Sequence, residues 1–249
     1  MAEPAIEIKN LSKTYRGNRL PAVDNFSISI RQGEIFGLLG PNGAGKTTII
    51  NILCGLRPFE KGEIRICGLP MPANRNSVKP SIGVVPQEIA LYPTLTAYEN
   101  LKIFGGLFGI ERKKLETRIN DLLAYFGLEQ NKHRTVASYS GGMKRRINLI
   151  AGLLHNPKIL FLDEPTVGID VQSKTLIIEN LREINRAGST IIYTSHYLEE
   201  AESLCSEIAI IDEGKPVCTG NPQQLIRQSA DCDSLEALYL KLTGKKLRD

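Results

Sequence analysis

Three hydrophobic patterns divide the chain. Ala5–Lys9, Phe26–Ile30 and Gly62–Ile66 alternate apolar with polar residues. Such alternation puts one strand face on a core and the other in water, and predicts half-exposed antiparallel strands. Ile35–Leu39, Ile82–Val85, Ile159–Leu162, Thr190–Tyr193 and Ile208–Ile211 are instead unbroken apolar runs, the pattern of parallel strands covered on both faces. Between Thr94 and His155 the period changes: Leu115, Ile119, Leu122, Leu123 and Phe126 recur at helical spacing, punctuated by Gly105, Gly109 and Gly127. Val171–Ala187 is predicted as a further helix, with Leu176, Ile177, Leu181 and Ile184 on one face and Gly188 as its stop. Pro222–Gln228 and Ser234–Leu242 read as two short helices.

The expected fold is therefore α/β. A small N-terminal antiparallel β subdomain joins a mostly parallel sheet, and an α-helical subdomain is inserted into that core. One domain is expected over residues 1–249, with 1–93 and 156–249 forming the antiparallel sheet and the α/β core and 94–155 forming the helical subdomain. A chain of 249 residues is long enough to bury a substantial core.

Composition narrows the function classes. The net charge of +4 is mild, and the basic clusters Arg112-Lys113-Lys114 and Lys144-Arg145-Arg146 are short and carry no interleaved aromatics. They read as solvated helix faces, and no nucleic acid is expected as a partner. The five cysteines are odd in number and lack C-x-x-C spacing, which suits thiols in a reducing compartment better than disulfides or a zinc site. Met1-Ala2-Glu3-Pro4 has neither the basic nor the apolar region of a signal peptide. No apolar stretch approaches the roughly 18 residues that span a bilayer. The expectation is a soluble, cytoplasmic chain that reaches a membrane only through a partner.

The chemistry concentrates in a few stretches. Gly40-Pro41-Asn42-Gly43-Ala44-Gly45-Lys46-Thr47 matches G-x-x-x-x-G-K-[ST]. Its glycines let the backbone wrap a polyphosphate with N–H groups pointing inward; Lys46 brings charge to the β/γ-phosphates, and the Thr47 hydroxyl is suited to Mg²⁺. The apolar run before it and the helix expected over Thr48–Leu53 give the strand–loop–helix order this motif requires. Ile159–Leu162 ends in Asp163 and Glu164. Asp163 is suited to Mg²⁺ through water, and Glu164 to polarising a water aimed at the γ-phosphate; a surface turn before Pro165 is the competing reading. Gln87, after Pro86, carries an amide that can meet Mg²⁺ or the attacking water, or is a plain strand-end residue. His196 follows an apolar strand, is expected to open a helix, and is either a γ-phosphate contact or structural. His133 and His155 receive no role. Tyr15 stacks on adenine or packs in the core. Ser140-Gly141-Gly142 precedes a helix with Met143, Ile147, Ile150, Ala151 and Leu154 on its apolar face; it is an N-cap and also an anion site.

Taken in order, these residues closely resemble the nucleotide-binding subunit of ATP-binding cassette (ABC) transporters, over essentially the whole chain. Gly40–Thr48 resembles the family's Walker A, Gln87 its Q-loop, Tyr139–Met143 its signature, and Ile159–Asp163 with Glu164 its Walker B and catalytic glutamate. Val167-Gly168-Ile169-Asp170 resembles the D-loop, His196 the switch histidine, and Tyr15 the adenine-stacking aromatic. The signature reads Tyr-Ser-Gly-Gly-Met where Leu-Ser-Gly-Gly-Gln is usual, and Val167-Gly168 stands where Ser-Ala is common. Asp170 is kept, with capping of its helix as the alternative role. These variants, with Leu91–Thr96 and the ending Leu235–Leu247, resemble the branch that exports drugs, sodium, lipids or polysaccharides.

The resemblance implies ATP and Mg²⁺ as cofactors and two cassettes packed head to tail, so that Ser140–Gly142 of one closes on the ATP of the other. It implies a second copy or a homologous ATPase subunit as one partner and an integral membrane permease as another, with the chain peripheral on the cytoplasmic face. An importer subunit, a non-transport ABC ATPase in translation or DNA repair, and a GTP switch or pure binding protein are the competing functions.

Overall fold

The computed structural model describes residues 3–229 and 232–244. Its strands are β1 (Ile6–Lys13), β2 (Val23–Ile30), β3 (Ile35–Leu39), β4 (Lys61–Ile66) and β5 (Leu69–Met71), followed by β6 (Ile82–Val85), β7 (Ile159–Asp163), β8 (Thr190–Ser195), β9 (Glu207–Asp212) and β10 (Lys215–Gly220). They form two sheets, one ordered β2-β1-β4-β5 and one ordered β10-β9-β3-β8-β7-β6. The first is antiparallel. In the second, β9, β3, β8, β7 and β6 run parallel, and β10 pairs antiparallel with β9.

Burial explains the two strand patterns. Every residue of β3, β7 and β8 is buried. Successive side chains point to opposite faces of a strand. Ile35 and Leu39 of β3, Leu160 and Leu162 of β7, and Ile191 and Tyr193 of β8 therefore join the core beneath the helices. Phe36 and Leu38, Ile159 and Phe161, and Ile192 join a second core shared with the antiparallel sheet. Both faces are covered, so neither can be polar. The alternating strands β1, β2 and β4 keep exposed positions between buried ones.

The helices are α1 (Lys46–Leu53), α2 (Arg75–Val78), α3 (Ala97–Leu107), α4 (Arg112–Tyr125), α5 (Gly141–Leu153), α6 (Val171–Arg186), α7 (Leu198–Leu204), α8 (Pro222–Gln228) and α9 (Leu235–Thr243). Helices α3–α5 fill the segment where a helical period was expected. Thr96 and Glu99 start α3 with a reciprocal capping box, and Leu115, Ile119, Leu122 and Leu123 form the buried face of α4. Residues 245–247 of the Leu235–Leu247 ending, and Met1 and Ala2, lie outside the described residues. Among the described residues no helix is long and apolar enough to cross a membrane. All five cysteines are free thiols.

Three expectations need correction. The buried face of α6 is Ile177, Ile178, Asn180 and Leu181; Leu176 and Ile184 are only partly buried, so the covered stripe is rotated by a fraction of a turn. His196 does not open a helix. It sits in a turn closed when Tyr197 N–H donates to Ser195 Oγ at 2.8 Å, and α7 starts at Leu198. Lys144-Arg145-Arg146 is not a solvated face, since all three residues are partly buried. The edge strands β5 and β10 also had no apolar run to announce them. Each carries a proline, Pro70 or Pro216, which is tolerated at a sheet edge.

Candidate functional site

Four parallel strands deliver their carboxyl ends to one edge of the large sheet, where α/β folds bind ligands. β3 runs into Gly40–Thr48, β7 ends in Asp163 and Glu164, β8 runs into His196, and β6 leads through Pro86 to Gln87. At Gly45 the backbone turns into α1 with φ of +105°, and a Cβ there would stand 2.3 Å from Ala22 O; only glycine fits. Lys46 is 4% exposed, and its ammonium donates to Gly40 O at 2.8 Å and Pro41 O at 3.1 Å. Burial pulls its pKa down, with Glu164 and Asp163 opposing. Thr47 Oγ1 donates to Asp163 Oδ2 at 2.9 Å. The Tyr15 hydroxyl lies 3.3 Å from Thr48 Oγ1, so this aromatic does stand beside the loop.

Glu164 is the point of convergence. Its carboxylate is 4% exposed at the residue level. Oε1 lies 3.6 Å from Lys46 Nζ and 3.2 Å from His196 Nδ1. Oε2 accepts from Gln87 Nε2 at 3.1 Å. Its backbone has φ of +49°, uncommon for a residue with a side chain and frequent at functional sites. Thr194 holds this conformation: its Oγ1 accepts from Glu164 N–H at 2.9 Å and donates to Asp163 Oδ1 at 2.7 Å. Sequence reasoning missed Thr194. The available signal was a hydroxyl continuing a wholly buried strand, where it must find a partner.

Arg145 was missed as well. Its guanidinium donates to Gln87 O and, at 3.1 Å, to Val167 O, joining the turn after β6 to the turn after β7. Arg146 Nη1 donates to Phe126 O at 2.8 Å. These contacts draw both guanidinium groups out of water, and that burial lowers their pKa.

Ser140 caps α5, its Oγ accepting from Met143 N–H at 3.2 Å. Ser140 and Gly141 are exposed, whereas Gly142 is buried. Asp170 caps α6, accepting from Ser173 N–H at 2.9 Å and Ser173 Oγ at 2.8 Å; these bonds hold its pKa low. A Cβ on Gly142 would meet Ser173 Oγ at 2.0 Å, and one on Gly141 would lie 3.6 Å from Gly168 O. The Ser140–Gly142 turn thus rests on the Asp170 turn, while Lys46, Gln87, Asp163, Glu164 and His196 converge on one another.

The donor set fits a hard divalent cation. Thr47 and Asp163 offer oxygen at 2.9 Å from one another, and the Gln87 side chain reaches the neighbouring Glu164 carboxylate. Among the described residues no group of three His, Cys, Asp or Glu side chains could hold a metal by itself.

Next to this site a groove of about 340 Å³ runs between the sheet and α3, lined by Leu56, Val84, Pro86, Phe104, Phe108 and His155. Phe108 stacks on His155 with ring centroids 3.7 Å apart and planes 7° apart. His155 Nε2 donates to Ile82 O at 2.8 Å, and burial lowers the imidazole pKa.

A family model described as ABC transporter matches residues 23–167. The chain is 46% identical over 220 residues to the linearmycin resistance ATP-binding protein of Bacillus subtilis, covering 88% of this chain and 70% of that protein. It is 43% identical over 235 residues to the Nod factor export ATP-binding protein I of Sinorhizobium fredii, covering 94% and 68%. Among solved structures it is similar to a dimeric ATP-binding cassette in a post-hydrolysis state bound to ADP and Pi, with a TM-score of 0.79, 26% identity, and coverage of 87% of this chain and 98% of that one.

Proposed function

The chain belongs to the ABC transporter family, and from that membership we propose which residues turn its ATP chemistry into export. It is an ATP-binding, ATP-hydrolysing subunit of an exporter, as its named relatives are export and resistance subunits. The observation that carries the residue assignment is the convergence of Lys46, Gln87 and His196 on the Glu164 carboxylate, beside the Thr47–Asp163 contact.

In this reading Gly40, Pro41, Asn42, Gly43, Ala44, Gly45, Lys46, Thr47 and Thr48 cradle the phosphates, and Tyr15 stacks on adenine. Phosphate oxygens take over the Lys46 ammonium from Gly40 O and Pro41 O. Glu164 acts as general base on the attacking water, and His196 contacts the γ-phosphate where charge develops. Thr47, Asp163 and Gln87 would hold Mg²⁺, which would supply positive charge to offset that of the phosphates.

Ser140, Gly141 and Gly142 serve the ATP of a second subunit, either another copy or a homologue, with Asp170 at the dimer contact. ATP then favours the closed pair because it touches both halves, and hydrolysis removes that differential affinity. The whole chain acts as one ATP-binding domain, with residues 94–155 as its helical part. Gln87 and the helical part carry this change to the membrane permease. Through that permease the subunit sits on the cytoplasmic face of the membrane.

Replacing Glu164 by Gln tests the reading. ATP binding should persist, turnover should fall by roughly 10²–10⁴, as for loss of a general base, and ATP-bound dimers should accumulate. Near-normal hydrolysis would rule Glu164 out as the base.

A further inference from the structure

The buried carboxylate of Glu200 is not used by the mechanism above, yet its partners come from the segment after β7, from β8 and from α6. Glu200 lies on α7 and is 5% exposed. Its Oε2 accepts from Thr166 Oγ1 at 2.6 Å and from the Tyr193 hydroxyl. Its Oε1 pairs with Lys174 Nζ at 2.6 Å. Thr166 Oγ1 and the Tyr193 hydroxyl are themselves 3.2 Å apart. Thr166 is the second residue after Glu164. Tyr193 is on β8, three residues before His196. Glu200 is four residues after His196, and Lys174 is on α6, four residues after Asp170.

We propose that Glu200 is a positioning residue for ATP hydrolysis, tying the Glu164 turn to the strand and turn that carry His196. This rests on the assignment of Glu164 and His196 given above. The geometry supports it from a second side. Adjacent residues of a strand point to opposite faces, so β8 holds the Glu164 turn twice. Thr194 bonds Glu164 N–H on one face, and Tyr193 with Glu200 bonds Thr166 on the other. Burial and the neighbouring carboxylate raise the Tyr193 pKa well above its ordinary value, so the phenol keeps its proton and remains a donor. Lys174 is partly exposed while Glu200 is buried, and an ion pair with a buried member is a poor way to gain stability, since apolar replacements are often neutral or better. It is a good way to hold a backbone with φ of +49° at Glu164 against relaxation.

The test compares Glu200→Gln, Tyr193→Phe and Thr166→Val in the full chain, measuring kcat, KM for ATP, direct ATP affinity and the thermal midpoint, with Glu164→Gln in parallel. Glu200→Gln should lower kcat about tenfold to a hundredfold, the usual consequence of misplacing a reacting group, with KM and ATP affinity within about twofold. Tyr193→Phe and Thr166→Val, which remove one hydrogen bond or one hydroxyl, should each lower kcat by a smaller factor. Thr166→Val combined with Glu200→Gln should be no slower than Glu200→Gln alone, because both act through one contact. A wild-type kcat in Glu200→Gln, while Glu164→Gln is inactive, overturns this proposal alone. A loss of kcat that only follows loss of folded protein and of ATP affinity overturns it also. Normal hydrolysis by Glu164→Gln overturns the base assignment and this proposal with it.

Discussion

At Gly142 there is no room for a side chain, because a Cβ would stand 2.0 Å from Ser173 Oγ and 2.5 Å from Ser173 Cβ. Gly142→Ala should therefore cost about 1–3 kcal/mol, as overpacking does, read as a lower urea midpoint. Combining it with Ser173→Gly, which vacates both atoms, should return part of that loss; no recovery would mean the strain lies elsewhere. The residues most legible in the sequence are contiguous ones, such as Gly40–Thr48 and Asp163-Glu164, whose spacing alone carries their chemistry. Thr194, Arg145 and Glu200 were not legible, because each acts on at least one partner 22 to 58 residues away. A lone threonine, arginine or glutamate carries no spacing signal for such contacts.

At the scale of elements, the join of α5 to β6 and α3 contains a titration. His155 donates to Ile82 O and stacks on Phe108, and burial keeps its folded pKa below the ordinary 6.5. The folded state therefore binds fewer protons than the unfolded chain as pH falls through that value. The stability of this join is complete above the unfolded pKa and is lost as pH falls toward the folded one. Denaturation midpoints should drop as pH falls below about 6.5, the ordinary histidine value, and His155→Gln, which keeps an N–H donor but does not titrate, should flatten that drop. An unchanged slope would assign it to other groups. His155 received no role from the sequence because neither the stacking ring nor the carbonyl is its neighbour in the chain. The strands were far more legible than this join: covered faces demand apolar runs, and β3, β7 and β8 showed them. β5 and β10 sit at edges where nothing demands such a run, and the turn at His196 depends on a hydroxyl at Ser195 rather than on periodicity.

For the whole molecule, the two sheets meet across one apolar core and the helices close the other, so the edge where β3, β8, β7 and β6 end is left as the place for chemistry. Ser140 and Gly141 are exposed, and in the function proposed above the site residues of one chain form only half of each ATP site. That shared site is the central claim. Its most direct measurement is the ATPase rate of a mixture of Ser140→Arg and Lys46→Ala subunits. Each variant alone should be nearly inactive. In an equal mixture about half of the dimers are mixed, each with one intact site of two, so the rate should recover to about a quarter of wild type. No recovery, with mixed dimers shown to form and bind ATP, would contradict a site built from two subunits.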